Sequence, residues 1–111
     1  MAEILSSIIS LVGLIDDTAS KAKLNRQSCK SLARHVLYAE HELKQAPNIK
    51  TGPVLSLLRD LLQECLNDLE KFANPHGIHR ILKGPVSEIC ERHKAELTAW
   101  IEKLHAQVSS K

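Results

Sequence analysis

The sequence predicts an all-α protein, an antiparallel up-down four-helix bundle with a short extra helix before the last helix. Three observations predict it. Apolar residues recur at spacings of three and four through every long segment, the mark of helices that bury one face. No segment alternates apolar and polar residues with period two, so no strand is expected. Proline and glycine fall at Pro47, Gly52-Pro53, Asn74-Pro75 and Gly84-Pro85 and cut the chain into helix-length pieces.

The first helix is expected over about 2–23. At about 100° per residue, Met1, Ile4, Leu5, Ile8, Ile9, Leu11, Val12 and Ile15 share one broad apolar arc. The opposite side carries Glu3, Ser6, Ser7, Ser10, Gly13 and Asp17, with Leu14 as the apolar outlier. The second helix runs over about 25–46, with Asn25 as N-cap and Pro47 as its stop. Cys29, Leu32, Val36, Ala39 and Leu43 form its inner face. The third spans about 52–73, Pro53 suiting a first turn. Its spine is Val54, Leu57, Leu58, Leu61, Leu62, Cys65, Leu66, Leu69 and Phe72. A short helix is expected over about 75–83, and the last over about 85–108. Val86, Ile89, Cys90, His93, Leu97, Trp100, Ile101, Leu104 and Val108 face inward on the last helix.

A chain of 111 residues predicts a single domain over 1–111 with a core that needs no staples. Apolar content of 43% and charged content of 25% fit an ordinary globular domain and exclude a disordered one. The net charge of +2 is too small to argue for nucleic acid. Tyr38, Phe72 and Trp100 are the only aromatics, too few for a base-stacking platform. Cys29, Cys65 and Cys90 are an odd count without tight spacing, so they read as free buried thiols. Glu3 stands where a signal peptide has basic residues, so no signal peptide is expected. The apolar run Ile4–Ile15 is too short to cross a membrane.

Four constellations bear on function. Lys21, Lys23, Arg26, Lys30 and Arg34 make a basic stretch without an acid. Asp60, Glu64 and Asp68, spaced by four, make an acidic stripe on the third helix. If the second and third helices lie side by side, Lys30 is level with Asp68 and Arg34 with Glu64. Two readings stay open: a ladder of surface ion pairs, each worth at most about 1 kcal/mol, or a basic patch for anionic lipid headgroups. His76, His79, Cys90 and His93 give H-x2-H-x10-C-x2-H, which matches no metal-site spacing, so no metal and no cofactor are expected. No sharp turn presents a thiol and no glycine-rich loop offers an oxyanion hole, so no enzymatic activity and no small-molecule substrate are expected. The fourth is the first helix. Its small polar back would let copies of it approach closely, and Glu3 and Asp17 would line the lumen of a ring.

The opening MAEIL resembles the MAEPL-type start of N-terminal domains in immune receptors (NLRs) of non-flowering plants, with Ile4 where that pattern has proline. The greasy first helix, then RQSCKSLARHVLYAEHEL, then GPVLSLLRDLLQECLNDLEKF, is similar to the wider group of HeLo-like, RPW-type and mixed-lineage-kinase-like (MLKL) four-helix bundles. The resemblance implies an executioner module. Such a module is cytoplasmic, is controlled by a nucleotide-binding or kinase-like portion of the receptor, and on activation self-assembles at the plasma membrane to trigger cell death. By position it places Ala2, Glu3, Leu5, Ile8, Ile9 and Leu11 in the membrane-acting set. Ile4, Val12 and Ile15 complete the apolar face of that helix. The competing reading is a soluble helical adaptor whose groove binds a partner helix. At rest the first helix is expected to be docked, because withdrawing six or more large apolar side chains at roughly 1.5–3 kcal/mol each would consume the 5–15 kcal/mol that stabilises a typical domain.

Overall fold

The computed structural model describes residues 2–22, 25–46, 52–73 and 86–109. These form α1 (Ala2–Ser20), α2 (Arg26–Gln45), α3 (Gly52–Ala73) and α4 (Val86–Ser109), with no strand among the described residues. The short helix expected over 75–83 lies outside them, as do His76 and His79.

Each helix forms where its apolar period and its punctuation direct. α1 ends in a tightened turn: the Lys21 amide donates to the Asp17 carbonyl at 3.1 Å and the Ala22 amide to the Ala19 carbonyl at 3.3 Å. Ala22 is buried, so the chain leaves α1 against the core. Asn25 precedes α2 in the left-handed region (φ 56°, ψ 37°), a conformation asparagine adopts more readily than most residues. Its expected side-chain cap is not made. Instead Asn25 Nδ2 donates to the Phe72 carbonyl at 3.3 Å, satisfying a backbone acceptor in the last turn of α3. The start of α2 is thereby fastened to the end of α3.

Cross-links between helices give the directions. Ser31 meets Lys94, His35 meets Thr98 and Glu42 meets His105. The offset is constant, so α2 and α4 run parallel, side by side. Between α3 and α4 the partners are Asp68 with His93 and the Val54 carbonyl with Trp100, so these two run antiparallel. α1 packs along both α3 and α2. The sides of the bundle are therefore α1–α2, α2–α4, α4–α3 and α3–α1, with α2 and α3 across a diagonal. The chain alternates in direction, but α2 and α3 do not form a seam. A short connection fixes the distance between two helix ends; it does not lay their lengths together.

The core is one contiguous cluster from all four helices. Its largest fully buried side chains include Trp100, Phe72, Ile8, Ile15, Leu32, Leu58, Leu62, Leu69, Leu97 and Leu104. Trp100 Nε1 donates to the Val54 carbonyl at 2.9 Å, so the largest core residue keeps its polar atom satisfied while pinning α4 to the first turn of α3. The inner face of α2 agrees with the sequence pattern, as does that of α4 from Val86 to Leu104 with Ile89 partly covered, while the Val108 side chain lies outside the described residues. On α3 the buried face is turned slightly: Leu55 is buried, Leu61 is partly covered and Leu57 is exposed.

Candidate functional site

α1 is docked, as its apolar arc requires, yet the arc is not buried throughout. Ile8, Leu11, Val12 and Ile15 are buried, Ile4 and Leu5 are half-buried, and Ile9 is 50% exposed. At about 100° per residue, the four buried residues span roughly 100° of the helix, and Ile9 lies a further ~60° beyond Val12. Leu14, on the other flank, is 52% exposed. Between these two flanks run Ser6, Ser10, Gly13 and Asp17, all exposed. An added Cβ at Gly13 would meet nothing within 4 Å. The side chains of Ala2 and Glu3 are outside the described residues. An open cleft runs between this small-residue back and α3, where Ser6, Ser7 and Ser10 face Arg59, Asp60 and Gln63.

The way α1 is attached sets it apart. Among the described residues no side-chain hydrogen bond or ion pair joins it to another helix. Its one ion pair is local, Lys21 Nζ to Asp17 Oδ2 at 3.1 Å. Among the described residues, its contacts with α2 and α3 are apolar packing.

The basic stretch falls on an open surface. Arg26, Lys30 and Arg34 are exposed, and no carboxylate among the described residues lies within ion-pair distance of them. Tyr38, one helical turn beyond Arg34, is 50% exposed, and Leu37 beside it 39%. The Lys23 side chain is outside the described residues. The ladder to Glu64 and Asp68 does not form, because α2 and α3 are diagonal. The acidic stripe is spent elsewhere: Asp60 sits 3.7 Å from Arg59, and Asp68 bonds His93 on α4.

Three histidines acquire partners in the fold. His35 Nε2 meets Thr98 Oγ1 at 2.8 Å and His105 Nε2 meets Glu42 Oε1 at 2.6 Å, both on the α2–α4 seam. Lys94 joins that seam through Ser31 Oγ at 2.8 Å and through Glu91 at 2.6 Å. Partial burial, then the charge of Lys94, holds the His35 imidazole below the ordinary value of 6.5. The third is His93, at 1% exposure the one polar residue in the core among the described residues. Its Nε2 contacts Asp68 Oδ2 at 2.7 Å, and its Nδ1 stands 3.6 Å from Glu96 Oε1. Sequence spacing pointed His93 toward Cys90, His76 and His79. The fold points it instead at carboxylates of α3 and α4, which only the adjacency of those helices reveals.

The cysteines are free and buried. Burial pushes the Cys65 thiol up to about 12, with the nearby carboxylate of Glu96 adding to the effect. Burial pushes Cys90 up to about 11 and also raises Cys29. These thiols are core residues held in the neutral form, poor nucleophiles in the folded chain.

No helix among the described residues is long and apolar enough to cross a membrane. Comparison with known protein families, curated proteins and solved structures gives no match to this chain.

Proposed function

We propose that this domain is the signalling and executioner module of an immune receptor, which self-assembles and acts on the plasma membrane through α1. The observation that carries the reading is that, among the described residues, α1 is attached by apolar packing without a polar tie to another helix. Apolar contacts can be exchanged for lipid or for a second copy of the helix without leaving a buried hydrogen-bonding group unpaired. Withdrawing Ile8, Leu11, Val12 and Ile15 costs roughly 6–12 kcal/mol at about 1.5–3 kcal/mol each, so release requires a compensating surface. The half-exposed Ile9 and Leu14 supply first contacts for it. The exposed Arg26, Lys30 and Arg34 supply attraction to anionic headgroups, about 1 kcal/mol each near such a surface. The resemblance of the first helix and of the two following segments to NLR and MLKL-like bundles supports the same reading. Interfacial insertion followed by clustering is the mechanism these features favour.

Dye release from liposomes tests it. The native chain is expected to release dye from anionic vesicles and not from neutral ones. Ile9→Glu, which alters an exposed position and leaves the core intact, is expected to abolish release. Arg26/Lys30/Arg34→Ala is expected to weaken vesicle binding. A folded native chain that neither binds nor permeabilises anionic vesicles, even when crosslinked into clusters, would favour the adaptor reading, in which the bundle binds a partner helix.

A further inference from the structure

We propose that Glu64, His93 and Glu96 bind a divalent transition-metal ion, with Zn2+ the best fit, across the α3–α4 seam, and that Asp68 positions the histidine for it. One ligand atom from each of Glu64, His93 and Glu96 lies within 4.8 Å of the other two. The Asp68 carboxylate, 2.7 Å from Nε2, accepts the hydrogen of that nitrogen. In the neutral imidazole Nδ1 then carries the free lone pair. It is buried and has no hydrogen-bond partner, and the same is true of Glu96 Oε1, 3.6 Å away. Two buried acceptors thus face one another, an arrangement that repels unless a positive charge sits between them.

A metal ion answers both atoms at once. Two donors on a tetrahedral ion at about 2.0–2.1 Å stand roughly 3.3 Å apart, close to the observed 3.6 Å. Glu64 is exposed, so its side chain is free to close the remaining distance. A proton on Nδ1 is the competing occupant of this gap, and a bound ion would displace it. One imidazole with two carboxylates suits zinc and its neighbours better than calcium or magnesium, which favour oxygen alone. A carboxylate holding the far nitrogen of the ligating histidine is the usual outer support of such sites. The ion would tie α3 to α4 at mid-length, on the side of the bundle away from the α1–α2 pair, and the proposal is independent of the membrane reading.

The test is isothermal titration of the full chain, stripped with a chelator, with Zn2+ alone, together with thermal melts. The native chain is expected to take up one ion and to melt higher with it. Glu64→Gln, at an exposed position, and Glu96→Gln are expected to weaken binding at least tenfold, and Asp68→Asn about 10–100-fold. Co2+ in place of Zn2+ is expected to give tetrahedral visible bands that vanish in Glu96→Gln. A His76/His79→Gln double variant is expected to bind as the native chain does. The proposal fails if there is no stoichiometric binding, or if binding persists in Glu64→Gln and Glu96→Gln and is lost in the His76/His79 double variant.

Discussion

α1 and α4 are both amphipathic helices docked on the same core, and they are held in opposite ways. α4 is stitched to α2 through Ser31–Lys94, His35–Thr98 and Glu42–His105, and to α3 through Asp68–His93 and Val54–Trp100. α1 has no such stitch among the described residues and rests on Ile8, Leu11, Val12 and Ile15. A helix held by directional bonds cannot move without breaking them one for one, whereas a helix held by apolar contact needs only another apolar surface. The difference teaches that helices of one small bundle can be held to a shared core by different contact chemistry, and on the proposed function this marks α1 as the exchangeable element.

The sharpest way to break this contrast is a pair of truncations. Trp100→Ala is expected to cost about 3–5 kcal/mol and Ile8→Ala about 2–5 kcal/mol, read as shifts in the urea midpoint. Their amide-exchange patterns should differ: Trp100→Ala should speed exchange in every helix, and Ile8→Ala chiefly in α1. Equal acceleration of α4 by Ile8→Ala would show that α1 does not detach as a separate unit. A smaller effect of opposite sign is expected at Gly13, where an added methyl meets open space within a helix. Gly13→Ala should stabilise the fold by about 0.5–1 kcal/mol while hindering close approach of α1 copies, so the melting temperature should rise and vesicle leakage fall. Leakage that is unchanged would remove the small-residue back from the mechanism.

The smallest expected effect sharpens the α4 side. His35 has its folded-state affinity for protons lowered, so the unfolded chain binds a proton more readily. The stability it contributes is present above pH ~6.5 and declines as the pH falls through the lower folded value. A proton NMR titration should place the His35 midpoint below the ordinary 6.5, and Lys94→Gln should move it upward. A midpoint at or above the ordinary value would show that the seam is open in solution.

Much of the fold is legible in the residues, because the period of Leu, Ile and Val reports which face of each helix is covered. Cys29, Leu32, Val36, Ala39 and Leu43 on α2 are read correctly for that reason. What the period does not report is which helix does the covering. Arg34 and Glu64 look complementary along the chain, yet they belong to helices on a diagonal. The same limit hides the link between His93 and Asp68, which needs the α3–α4 seam to be known first. Ile9 marks a further limit: the apolar arc of α1 is wider than the strip its two neighbours cover, and only docking divides that arc into a buried part and an offered part.

One contact bears on how α1 would leave. Asn25 opens α2 and is tied through its side chain to the Phe72 carbonyl at the end of α3. The start of the second helix is thus anchored to the end of the third. A 19-residue helix is a rigid arm of about 28 Å. If α1 swings out as proposed, its far tip could stand about 28 Å from that end. If α1 is released as proposed, this tie would keep the start of α2 fixed beside the end of α3.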